Sequence, residues 1–384
     1  MENAKIGTRQ LFIMIILFEL GSSLLIPPGT MAGRDAWLSV LLGCVVGLGL
    51  FYVYQALYQY FPESSPRDYM NELIGRHLSW VISLLYILYF AYIAARVLRD
   101  FGEMLVTFAY QDTPLVIVNA MLMIAAIFAV RKGIEVIARA GELLFGIMYF
   151  LTAIGLILLI SSGTINLRFL QPVLAEGMGT VIYSVFKQTM FIPFGELIVF
   201  VMIFPYLKDR KKVKKTGFLA IIISGLFLAI SVAINICVLD VNLMLRSQFP
   251  LLSTIQTIKV EEFLDRLDVF FMLVLVIGGF FKVSLFTYSV VVGISTLFKE
   301  KNPSQLALPV GLGVLILSIS IASNFSEHMN EGLKIVPIYI HLPFQVLFPV
   351  LLLIIAVIKK KVKGSVYTVS KKKPGRCAGF FKKS

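Results

Sequence analysis

Charge is scarce in this chain of 384 residues. Asp, Glu, Lys and Arg together make up 15%, against about 25% in a soluble globular domain. Cysteine and histidine are scarcer still, at three each. Cys44 and Cys237 fall inside apolar runs and Cys377 in a basic tail, so neither a disulfide framework nor a metal-ligand spacing is present. His77, His328 and His341 are far apart in sequence. No zinc motif, phosphate-binding loop or nucleophile elbow occurs. With no assembled constellation for covalent catalysis, the expectation is a non-enzyme with no cofactor and no metal.

Apolar residues fill the space that charge leaves. They make up 58% of the chain, the mean hydropathy is +0.87, and several runs exceed the roughly 18 residues needed to cross a bilayer. The chain therefore reads as an all-α polytopic membrane protein. Ten spans are expected at about 10–32, 35–59, 78–107, 115–130, 135–161, 178–206, 216–239, 267–298, 306–323 and 335–358. Met1–Arg9 is polar and the first apolar segment is itself a span, so no cleaved leader is expected. Pro66–Trp80 and Pro250–Arg266 read as short amphipathic helices, the second with Leu251, Ile255, Ile258 and Phe263 on one face.

A net charge of +13 raises the question of nucleic acid, but the charge lies in short loops and a tail, so no nucleic-acid partner is expected. With a cytoplasmic N-terminus, the inside segments hold 24 of the 35 basic residues, among them the run from Lys208 to Lys215, and the outside segments hold six. Both termini are accordingly expected in the cytoplasm. The tail 359–384 is basic without an apolar period and reads as a solvated segment drawn to anionic membrane lipid. The membrane region 1–358 divides into five spans (1–161) and five more (178–358). Because five is odd, the second set enters from the opposite side, which permits an inverted repeat.

Two spans carry a break beside a carboxylate. The first reads Phe18-Glu19-Leu20-Gly21-Ser22-Ser23 and the second Phe191-Ile192-Pro193-Phe194-Gly195-Glu196. A helix broken at membrane depth leaves backbone groups that lipid cannot satisfy, and a polar solute can. N–H groups near Gly21, Ser22 and Ser23 suit a carboxylate. Carbonyls near Phe191, Ile192 and Pro193 suit an ammonium group, with Gly195 and Glu196 opening the next half-helix. A close-packing patch at Gly21–Ser23 and a simple proline kink at Pro193 are the plainer alternatives.

The other intramembrane charges form candidate pairs. Arg139 shares a helix face with Glu135 and the deeper Glu142, while Arg96 with Asp100 and Arg99 with Glu103 are spaced by four. Such pairs commonly neutralise each other inside a bundle. Lys187 and Lys282 have no acid three or four residues away, so any partner comes from another helix, with Glu19 and Glu196 as candidates. Tyr89, Tyr92 and Tyr288 carry hydroxyls that a pocket could use, although aromatics at this spacing more often serve packing.

The stretch Ile6–Gly21, Asp35-Ala36-Trp37 at the start of span two and Phe194-Gly195-Glu196 in span six resemble the B subunits of bacterial spore-germination nutrient receptors, over roughly residues 1–360. That family is similar to the amino acid–polyamine–organocation transporters. The resemblance implies a LeuT-like fold of ten helices in a 5+5 inverted repeat, with helices one and six broken. It implies a protein of the spore inner membrane that binds a nutrient germinant, often an amino acid, and signals to an A subunit and a lipoprotein C subunit. Carried over by position, it puts the pocket at Gly21–Ser23 and Ile192–Glu196. Pro27-Pro28 and the tail around Cys377 depart from the family pattern. A secondary amino acid transporter working by alternating access is the competing expectation, because fold does not settle function.

Overall fold

Inside a bilayer a backbone has no water to pair with and must close its hydrogen bonds locally, which favours helices. The computed structural model describes residues 5–62, 64–258 and 267–370. Its helices are α1 (Thr8–Leu25), α2 (Ala36–Tyr60), α3 (Pro66–Ile74), α4 (Arg76–Phe108), α5 (Leu115–Lys132), α6 (Ile134–Ser161), α7 (Met178–Ser184), α8 (Val213–Arg246), α9 (Pro250–Gln256), α10 (Leu267–Phe298), α11 (Ala307–Ser320), α12 (Phe325–Asn330) and α13 (Phe348–Ser370). Among the described residues, ten helical stretches are long and apolar enough to cross a membrane.

Spans six and ten depart from plain α-helix. Span six starts as α7, passes through a π-helical turn at Val185–Thr189, and resumes after Pro193 as a nine-residue 3-10 helix, Phe194–Met202. A 3-10 run of that length is unusual. Span ten is π-helical at Glu331–Ile335 and Pro337–Leu347 before α13. Pro343 lies inside it, and a wider helical register accommodates a residue with no N–H to give.

The spans pack in a pattern that follows the repeat: α2 against α8, α4 against α10 and α5 against α11, which are the second, third and fourth spans against the seventh, eighth and ninth. Spans one and six are the most enclosed, at 78% and 83% buried, against 17% for α6, so these two spans form the centre of the bundle. The surface helix α3 is shorter than the expected Pro66–Trp80: Gly75, at a left-handed φ of 83°, ends it after Ile74 and Arg76 already opens α4. It is capped by Ser65, whose hydroxyl accepts from the Asp68 N–H at 3.2 Å, with Pro66 at its first position.

At the face where the chain begins, Ile6 N–H donates to Tyr206 O at 2.9 Å and Lys208 N–H donates to Ile6 O at 3.0 Å. This isolated parallel bridge between Ile6 and Leu207 ties the entry to span one to the exit from span six. The last helix continues to Ser370, so the basic tail begins helical rather than as an irregular segment. The rest of the tail, with Cys377, and residues 259–266 of the second amphipathic stretch, with Phe263, lie outside the described residues.

Candidate ligand-binding site

Span one is not broken at its Gly-Ser-Ser, contrary to expectation. α1 runs unbroken through Gly21, Ser22 and Ser23 to Leu25, and Ile26 N–H still donates to Ser22 O at 2.9 Å. The interruption falls at Ile26–Gly29, where Gly29 takes a left-handed φ of 84°, and a 3-10 turn at Thr30–Asp35 then leads into α2. The role of Gly21 is close packing: a Cβ there would stand 2.8 Å from the carbonyl oxygen of Gly278 in α10. The small residues that suggested an unwound loop instead let two backbones touch. The N–H groups expected to receive a carboxylate lie in the helical stretch.

The second break stands where the sequence puts it. Phe191 N–H and Ile192 N–H both donate to Gln188 O at 3.1 Å, the Ile192–Pro193 peptide is cis, and Glu196 N–H donates to Pro193 O at 3.0 Å. Gly195 is tightly used, because its carbonyl accepts from the Tyr54 hydroxyl at 3.2 Å and the same hydroxyl donates to Gln345 O at 2.7 Å. The Phe191 ring stacks near His341 with centroids 6.2 Å apart.

Lys282 of α10 joins the unbroken middle of α1 to the break in span six. Its ammonium forms an ion pair with Glu196, donates to Ser22 Oγ at 2.7 Å and stands 5.0 Å from the centre of the Phe18 ring. Lys282 is wholly buried and Glu196 nearly so. Glu19, also wholly buried, has no hydrogen-bond partner on either carboxylate oxygen. Of the two candidate partners for Lys282, the ammonium pairs with Glu196.

The remaining charges separate from this centre. Arg139 is exposed and pairs with Glu135 at 3.5 Å. Glu142 is not its partner: it meets Arg9 at 3.5 Å and accepts from Gln10 Nε2 at 3.3 Å. Both sit within two to three turns of the start of α6, close to the membrane surface. Lys187 is half-buried and lies over the Tyr183 ring at 5.8 Å, away from both Glu19 and Glu196 in its contacts. Arg99 and Glu103 do pair, at 3.2 Å, and Arg99 also donates to the carbonyls of Ile319 and Ala322 at 3.0 and 2.8 Å, closing the C-terminus of α11. Arg96 and Asp100 do not pair. Arg96 donates to His328 O and faces Glu331 at 3.8 Å, whereas Asp100 meets His328 Nε2 at 2.7 Å. Their partners come from the segment entering span ten, which spacing within α4 cannot reveal.

A cavity opens beside the second break. Ser22, Ile26, Arg96, Asp100, Gln188, Ile192, Glu196 and His341 line it, with Pro27, Pro28 and Gly332 toward the face opposite the Ile6–Leu207 bridge. Sequence reasoning missed the contribution of span ten. Tyr89 Oη lies 3.0 Å from His341 Nδ1 and accepts from Gln345 Nε2 at 2.8 Å, so these three polar side chains hold one another against the break. The available signal was His341 and Gln345 spaced by four between prolines in an apolar span. A second cavity lies on the N-terminal face, lined by Tyr86, Phe90, Ile198, Met202 and Ser289. Between the two stand Phe18, Phe200 and Phe286, with Phe18 5.5 Å from Phe200 and 5.2 Å from Phe286. The site can thus hold a small polar solute on one side of an aromatic plug. Among the described residues no group of metal-ligating side chains occurs.

A family model described as spore germination protein matches residues 5–326. The chain is 72% identical over 361 residues to spore germination protein KB of Bacillus subtilis, covering 94% of this chain and 97% of that one. It is 26% identical to spore germination protein YndE of the same organism, covering 93% and 98%. Among solved structures it is similar to MhsT in complex with L-phenylalanine, with a TM-score of 0.67 and 15% identity, covering 93% of this chain and 89% of that one. That likeness shows a LeuT-like fold, and the family match with the full-length relative shows that this chain belongs to the spore germination protein family.

Proposed function

We propose that the chain is the nutrient-binding membrane subunit of a spore germination receptor, and that its ligand occupies the cavity between the break at Pro193 and the π-helical part of span ten. The observation that carries this reading is the cavity itself. It is buried among spans one, three, six and ten, with Arg96, Glu196, Gln188 and His341 converging on it. The solved neighbour of the same fold was determined with an amino acid bound, which supports an amino acid as the nutrient class. Arg96 then replaces the N–H groups of Gly21–Ser23 as the group that meets the ligand carboxylate, and Glu196 with the chain around Ile192 meets the ammonium. The site charges are already paired within the protein, Arg96 with Glu331 and Glu196 with Lys282. Ligand entry therefore exchanges one ion pair for another, and the exchange is the differential contact that shifts a population between two states.

In this reading the protein sits in the spore inner membrane with both termini in the cytoplasm, and A and C subunits read its state. The decisive measurement is binding of a panel of amino acids and neutral sugars to the purified chain, beside germination of spores carrying Glu196→Gln. Saturable binding of one nutrient, with both binding and germination lost in the variant, is expected. The competing reading, a transporter, rests on the shared LeuT-like fold. Accumulation of labelled nutrient in proteoliposomes, with germination intact in spores lacking the chain, would replace the receptor reading with it. Cysteine labelling of the Lys208–Lys215 loop from the inner side only would support the orientation.

A further inference from the structure

Two carboxylates share one ammonium at the centre of this protein. Lys282 meets Glu196 and Ser22, and Glu19, with no exposed surface, is left without a hydrogen-bond partner on either oxygen. Four residues on, on the same face of α1, the buried Ser23 hydroxyl is also without a partner. The ionisable groups that bear on Glu19 are Lys282 from α10, Glu196 from span six and the Cys44 thiol from α2. With both carboxylates ionised the cluster holds a net charge of −1. An uncompensated ion in a dry interior is far too costly to keep, and such a group neutralises instead. One positive charge is missing from the cluster.

We infer that the missing charge is a proton, and that Glu19 is a proton-binding site of the membrane core, neutral while Lys282 is paired with Glu196. A metal ion is the alternative source of that charge; no group of three or more His, Cys, Asp or Glu side chains surrounds Glu19 among the described residues, which leaves an alkali ion as the competitor that the sodium measurement below addresses, and the ammonium of Lys282 already occupies the position between Glu196 and Ser22. The proton has a reason to leave. When a ligand amine draws Glu196 away, Lys282 is freed to pair with Glu19, whose proton then departs to solvent through the cavity. Ligand binding and proton release are in that case linked, and the linkage runs both ways. This last step rests on the proposed ligand site; the protonated state of Glu19 does not.

The test is infrared difference spectroscopy of the purified full chain in nanodiscs at neutral pH. A protonated-carboxyl stretching band is expected, shifted in heavy water and lost in Glu19→Gln. Lys282→Met should add a second such band from Glu196. Absence of any band sensitive to heavy water in the native chain overturns the inference without needing a variant. Sodium-dependent thermal stabilisation that Glu19→Gln abolishes also overturns it, by identifying the missing charge as a metal ion. If the band is present but nutrient addition leaves it unchanged, the proton site stands and its linkage to the ligand falls.

Discussion

Replacing Lys282 with methionine isolates the energetics of the central charge cluster. Methionine keeps most of the lysine stem, so little packing volume is lost, and the change removes the ammonium alone. That ammonium has three partners: Glu196, Ser22 Oγ at 2.7 Å and the Phe18 ring at 5.0 Å. Breaking a buried ion pair from one side costs about 3–5 kcal/mol, because the surviving carboxylate must either stay uncompensated or take up a proton. The contact with Phe18 accounts for about 0.5–2 kcal/mol of that loss. The double variant Lys282→Met with Glu196→Gln should recover most of the loss, since neutralising both partners of a buried pair is often nearly free. Thermal unfolding of the detergent-solubilised chain measures both. The deficit of the single variant should shrink as pH falls, because protonation of Glu196 removes the unpaired charge, and grow as pH rises. A single variant that loses less than about 1 kcal/mol, the scale of an exposed salt bridge, would refute the reasoning. So would a double variant no more stable than the single one.

Three further outcomes are expected. Gly21→Ala should destabilise the chain by about 1–3 kcal/mol through overpacking against α10, while nutrient binding by the surviving protein stays intact; a binding isotherm beside a melting curve separates these effects. Arg96→Met removes charge-assisted contacts worth about 1.5–3 kcal/mol, so nutrient affinity should fall roughly ten- to 100-fold, read by titration. Arg99→Ala should cost a similar amount in thermal stability, about 1.5–3 kcal/mol, because it uncaps α11, yet leave nutrient affinity unchanged.

The spans were legible because a bilayer demands long apolar runs, and such runs have few other uses. Predicted limits of 115–130 and 267–298 fall within two residues of Leu115–Lys132 and Leu267–Phe298. The break at Pro193 was legible for a related reason, since proline cannot complete a helical ladder. Gly21-Ser22-Ser23 misled because small residues serve two opposite ends: they permit unwinding, and they permit close approach. Only the backbone of Gly278, which lies more than 250 residues away in sequence, decides between them. The pairing of Arg96 was hidden likewise. Its helical neighbour Asp100 is a plausible partner at spacing four, but the chain brings His328 and Glu331 to the same place. Span ten was read as an ordinary hydrophobic helix, although its π-helical register is what turns His341 and Gln345 toward Tyr89.

The 3-10 segment of span six also has mechanical meaning. A 3-10 helix is a drawn-out α-helix, about 2.0 Å per residue against 1.5 Å. Over the nine residues Phe194–Met202, relaxing to α-helix would shorten the span by about 4.5 Å. The end beside the cavity is held by Tyr54, which grips Gly195 and span ten together, so the recoil would fall on the far end. There Leu207 is stitched to Ile6, and the pull would pass straight to the first residues of the chain. A change of helical register in span six would therefore be felt on the N-terminal face.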